Sequence, residues 1–124
     1  MVQVVNETKG TVIAKRLRVA DSLWARFWGL MGRKALADGE ALLLKPGSSI
    51  HTMFMRFPID VVFIDAENQV VKVVSELRPF RLAMAPGSVQ SVLELEAGAA
   101  ARANVAPGDR LVMVDADREQ PTPP

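Results

Sequence analysis

Residues 60–77 read DVVFIDAENQVVKVVSEL, and their pattern decides the fold class. Val61, Val62, Phe63 and Ile64 form an unbroken apolar run rich in β-branched and aromatic residues, the composition of a buried strand. DAENQ is a turn cluster, and VVKVVSEL is the next strand. Together they make a hairpin.

Working outward, the same short-strand rhythm continues on both sides. GTVIAKRLRVA, residues 10–20, alternates after Gly10, with Ile13, Lys15, Leu17 and Val19 opposite Val12, Ala14, Arg16 and Arg18; it reads as one strand. EALLL, residues 40–44, is a short strand that runs into a Pro-Gly turn. RPFRLAMAPGS, residues 78–88, carries two prolines and reads as an excursion over the surface. VQSVLELEAG sets Val92, Glu94 and Glu96 against Leu93 and Leu95. AAARANVAPGD holds one helical turn, and RLVMVD is a last strand.

The period changes in one place. In DSLWARFWGLMGR, Leu23, Phe27 and Leu30 recur at helical spacing, with Trp24, Trp28 and Met31 one step round. This predicts a short helix over residues 22–31. Six or seven short strands and one helix predict a mainly β chain with a short helix, a compact sandwich or barrel-like single domain over residues 1–115. The polar, Pro-rich residues 116–124 are expected to be a flexible tail. Leu30, Val62, Ile64, Val71, Leu93, Leu95, Leu111 and Met113 are the expected core.

Composition removes several functions. Among 124 residues there is no cysteine, so disulfides, thiol catalysis and Cys-type zinc sites are out. One histidine cannot make a multi-His metal site within one protomer. A formal net charge of +1 gives no electrostatic case for a nucleic-acid or membrane partner. No segment approaches a membrane span or a signal peptide, so the expected location is the cytoplasm. No phosphate-binding loop, dinucleotide fingerprint or nucleophile elbow occurs, and no cofactor is expected.

The chemistry-bearing stretch precedes the hairpin. Residues 48–60 read SSIHTMFMRFPID and hold the one histidine. On an extended chain His51, Met53, Met55 and Phe57 fall on one face, and Thr52, Phe54 and Arg56 on the other. Pro58 breaks the strand, so Asp60 begins the next at a turn. A partly apolar groove with a few polar groups is how small-molecule sites are built. The first reading is therefore a ligand or protein partner bound in a groove lined by residues 51–60. The second is a hydrolase-like enzyme using His51 with Asp60 or Glu94. The third is Cu(I) held by His51, Met53 and Met55, an imidazole with two thioethers. Against all three stands a structural role: His51 and Asp60 hydrogen-bonded to backbone, the methionines in the core, and Glu94 and Glu96 on an exposed strand face. The turn at Pro58 places His51 and Asp60 close together at one end of the domain, beside Glu94 or Arg26.

Three ordered stretches carry a resemblance: RFWGLMGRKAL from Arg26, IHTMFMRFPIDVVFIDAENQVV from Ile50 and VLELEAGAAARANVAPGDRL from Val92. They resemble the bacterial and archaeal family called domain of unknown function 192. The pattern falls on Arg26, Gly29, Leu30 and Met31; on His51, Thr52, Met55, Asp60, Phe63 and Asp65; and on Val92, Leu93, Glu94 and Gly98. The resemblance spans roughly residues 10–115. It implies a small β-sandwich or barrel-like domain and no established activity. Its polar positions make Arg26, His51, Thr52, Asp60 and Glu94, with Met55, the candidate site residues.

Overall fold

A computed structural model describes residues 1–20, 22, 35–53, 55–85 and 87–115. The helix expected over residues 22–31, with Arg26 and Leu30, lies outside the described residues but for Ser22, and so does the tail.

Among the described residues ten strands and one helical turn follow in order: β1 Val2–Asn6, β2 Thr11–Ala14, β3 Arg16–Ala20, β4 Glu40–Leu44, β5 Ser49–His51, β6 Ile59–Asp65, β7 Val70–Leu77, β8 Leu82–Met84, β9 Val89–Glu96, α1 Ala99–Arg102 and β10 Leu111–Asp115. They form a three-stranded sheet ordered β10-β1-β2, a five-stranded sheet ordered β3-β4-β9-β6-β7, and a two-stranded ribbon of β5 and β8. Among the described residues no sheet closes into a barrel. All pairings are antiparallel except β3 with β4.

The central strands β4, β9 and β6 of the five-stranded sheet are buried on both faces, which explains the unbroken apolar run Val61–Ile64. On one face Leu43, Val62, Ile64, Leu93 and Leu95 meet Val4, Ile13 and Leu111 of the small sheet and the alanines of α1. On the other, Leu42, Val61, Phe63 and Val92 meet Ile50 and Ala83 of the ribbon, with Met55 and Leu36. The molecule is thus three layers with two apolar seams.

Val62, Ile64, Leu93, Leu95 and Leu111 are fully buried, as expected. Val71 and Met113 are only half-buried. Their strands, β7 and β10, are sheet edges and have a neighbour on one side only. Leu93 sits on β9, the central strand of the large sheet. Leu93→Ala is expected to destabilise the fold by about 2–5 kcal/mol, read as a drop in the denaturation midpoint. An unchanged midpoint would contradict this packing.

Two stretches depart from the sequence reading. The strand expected over residues 10–20 is two strands. Lys15 and Arg16 both donate their N–H to the Gly39 carbonyl, at 2.8 and 3.0 Å, where the chain leaves β1 and joins β4. Within the excursion expected over residues 78–88, Leu82–Met84 pairs with β5, as Ser49 with Met84, Ile50 with Ala83 and His51 with Leu82.

Candidate functional site

Asp60 is fully buried at the start of β6. Its Oδ1 accepts the Glu76 N–H at 2.8 Å, and its Oδ2 accepts the N–H groups of Gly98 at 3.0 Å and Ala100 at 2.9 Å. Each donor needs it for a local reason. Between Ile59 and Val61 the partner strand advances from Leu77 to Val74, one residue too many, and Glu76 takes a φ of 53° there. That is a β-bulge, and it leaves an N–H without a ladder partner. Gly98 and Ala100 are at the start of α1, where N–H groups have no intrahelical acceptor. Gly98 has a φ of 92°, and a Cβ there would lie 2.9 Å from the Arg102 guanidinium, so no other residue fits without displacement. Asp60 thus ties a bulge on β7 to the helical turn.

Thr52 is fully buried and does similar work beneath the ribbon. Its hydroxyl donates to the Arg78 carbonyl at 2.6 Å and accepts the Arg81 N–H at 2.8 Å. Its own N–H donates to the Arg81 carbonyl, and its carbonyl accepts the N–H of Phe80, both at 2.8 Å. These bonds end β5 at His51, well short of the strand expected through Phe57. Met55 is buried in the seam under the ribbon.

His51 is exposed, and its Nδ1 accepts the Met53 N–H at 3.2 Å. In the neutral ring this leaves the proton on Nε2. A metal at Nε2 would require the proton on Nδ1 and the loss of that bond. Met53 is exposed while Met55 is buried, so the expected Cu(I) donors do not share a face. Among the described residues no group of three or more His, Asp or Glu could hold a metal.

Of the two neighbours expected for His51 and Asp60, Glu94 does not meet Asp60, and Arg26 lies outside the described residues. Across β6 and β9, Asp60 is opposite Leu95, whereas Glu94 is opposite Val61 and Leu42. Asp60 therefore faces the seam under the small sheet, with α1, and Glu94 faces the other seam. Side chains alternate along a strand, and a displacement of one residue changes the face. His51 bonds to neither carboxylate.

Glu94 is 3% exposed, and its Oε2 has no hydrogen-bond partner among the described residues. Burial raises its carboxyl from the usual 4.5 to about 8. At neutral pH it is mostly a neutral acid. Glu96, two residues on, is half-buried and lies 3.7 Å from the Arg102 guanidinium.

A further buried polar cluster carried no local signal in the sequence. Asp109 Oδ2 accepts Asn6 Nδ2 at 2.9 Å, the Ala106 N–H at 2.9 Å and Lys9 Nζ at 3.1 Å. Burial alone would push the Asp109 carboxyl up. The bonds from Asn6, Ala106 and Lys9, with the Lys9 charge, outweigh it and hold the carboxyl below its ordinary value. Asn6 and Asp109 are far apart in the chain, and a spacing pattern cannot join them.

Residues 4–113 match the family described as "DUF192: Uncharacterized ACR, COG1430". A UPF0127 protein of Thermococcus sibiricus is 31% identical over 112 residues, covering 87% of this chain and 72% of that one. A UPF0127 protein of Pyrococcus furiosus is 34% identical over 111 residues, covering 87% of this chain and 95% of that one. Among solved structures, a protein of unknown function from Novosphingobium aromaticivorans superposes with a TM-score of 0.77 at 26% identity, over 90% of this chain and 82% of that one. A chain from Sinorhizobium meliloti described as a "putative transcription regulator" superposes with a TM-score of 0.78 at 25% identity, over 90% and 91%. With the match running from β1 to β10, this chain belongs to the DUF192 family.

Proposed function

We propose that the protein is a binding module whose recognition surface is the outer face of the β5–β8 ribbon, and that its partner is a protein segment combining apolar side chains with carboxylates. The observation that carries this reading is the exposure of Leu82 at 64%, Met84 at 55%, Phe80 at 52% and Met53 at 40%. The register puts Leu82 beside His51 and Met84 beside Ser49, on the side opposite buried Ile50 and Ala83. Phe80 and Met53 adjoin them through the hydrogen bonds of Thr52 and His51. Contiguous apolar surface of this kind marks interaction sites, and methionine adapts to varied partner shapes. The exposed bases Arg56 and Arg81 stand in the loops that frame it, which favours a partner bearing carboxylates.

In this reading His51 contacts the partner, Thr52 sets the ribbon, and Met55 and Asp60 hold the frame. Glu94, under the ribbon's seam, is not part of the contact. The bonding of Asp60 to three backbone N–H groups gives no support to a hydrolase pairing with His51.

Selection of a phage-displayed peptide library on the immobilised protein tests the proposal. Peptides mixing Leu or Phe with Asp or Glu are expected, and Leu82→Lys with Met84→Lys should abolish their binding while leaving the melting temperature within a few degrees, because both side chains are exposed. Equal binding by the double variant, or no enrichment, would sink it. Duplex DNA of mixed sequence is the control prompted by the Sinorhizobium chain's description. It is expected to show no salt-dependent binding. We also propose a cytoplasmic location, which cell fractionation tests. Among the described residues no helix is long and apolar enough to cross a membrane.

A further inference from the structure

We infer a second binding site, at the open end of the seam between the three-stranded and five-stranded sheets, with the chemistry to take a small organic carboxylate with an apolar body. A cleft of about 670 Å³ opens there. That volume is in the range of small-molecule sites. Leu43 and Leu111, both buried, form its apolar floor.

Ser91 adds a hydroxyl to the wall of the cleft. It is 7% exposed and lies on β9 opposite Ile64, so it faces this seam with Leu93 and Leu95. No hydrogen bond to its hydroxyl occurs among the described residues, and the hydroxyl is not sealed from solvent. Here it lines the cleft, where a bound group can supply the bond.

Charge at the mouth selects the ligand. Lys45 follows β4 and Arg110 precedes β10; both line the cleft, and neither is in an ion pair among the described residues. Glu7, just after β1, lines it too. Two cations against one carboxylate leave a single positive charge to neutralise. That favours a monoanion over a phosphate dianion, and Arg with a hydroxyl is a donor set for carboxylate oxygens. The apolar floor then favours a hydrocarbon tail or ring on the same molecule. None of the ribbon residues lines this cleft, so the site stands apart from the proposed partner surface.

The test is amide NMR of the full chain titrated with octanoate, with octanol and inorganic phosphate as controls. Saturable shifts at Ser91, Arg110 and Leu111 are expected with octanoate below about 10 mM and with neither control. Arg110→Gln and Lys45→Gln should each weaken binding roughly tenfold, because each removes a charged contact from an otherwise intact cleft. Ser91→Ala should weaken it a few-fold. Both mouth residues are exposed, so the charge variants fold irrespective of the outcome for serine. The inference is overturned if octanoate gives no saturable shift, if octanol binds as well, or if both charge variants bind like the parent.

Discussion

Asp60→Ala should lower the melting temperature at pH 7 by roughly 10–20 °C, corresponding to about 3–4 kcal/mol. Three backbone N–H groups lose their acceptor at once: Glu76 in the bulge, and Gly98 and Ala100 at the helical turn. A donor left buried without a partner carries its full desolvation cost, and alanine offers no oxygen. Asp60→Asn discriminates further. One carboxylate oxygen serves two donors and the other serves one, whereas an amide has a single acceptor. With its oxygen turned toward Gly98 and Ala100, the amide nitrogen would face the Glu76 N–H, donor against donor. The Asn variant should therefore fall between the parent and the Ala variant. Melts followed by circular dichroism over the three proteins check this. A drop of only a few degrees for Asp60→Ala would show that the bulge and the turn are held by other contacts.

Glu94 should make the protein less stable as pH rises from about 4.5 to 8. Its carboxyl ionises near 4.5 in the unfolded chain but is raised to about 8 in the fold. Between those values the folded state binds more protons than the unfolded state, so the slope of stability with pH is negative. Below the window the group contributes no difference, and above it the loss is complete, on the order of 3–5 kcal/mol. Glu94→Gln keeps the shape and removes the titration. The variant should match the parent near pH 4 and exceed it at pH 8.5, with a difference that grows across the window. Urea midpoints measured at half-unit pH intervals give both curves. Parallel curves would show that Glu94 is solvated or partnered in solution.

The hairpin of β6 and β7 and the strands β4, β9 and β10 were legible because each carries its pattern within a few residues. The division of residues 10–20 at Lys15 was not, because the signal is the distant Gly39 carbonyl that takes two N–H bonds. Strand β1 had no local mark either. Its last residue, Asn6, is buried with its side chain satisfied by Asp109, which accepts from it, and by the Lys9 N–H, which donates to it. For the site, the sequence pointed to the right residues and left their partners open. Glu94 alternates with Leu93 and Leu95 as an exposed strand would, yet β9 is the central strand of a sheet covered on both faces. Asp60 reads as a titratable group beside a turn. That it faces the opposite seam from Glu94 follows from register, which becomes fixed only when β6 meets β9.

The pairing of β1 with β10 has a consequence for how the chain is made. Val2 is opposite Asp115, and the small sheet has β1 at its centre. On the ribosome the first strand emerges early but must wait for the last before that sheet can close. The large sheet, complete once β9 is out, meanwhile presents Leu43, Leu93 and Leu95 without their full cover. Nascent or truncated chains that stop short of Leu111 are thus sticky on one face, and the need for chaperone protection should end abruptly when β10 is released.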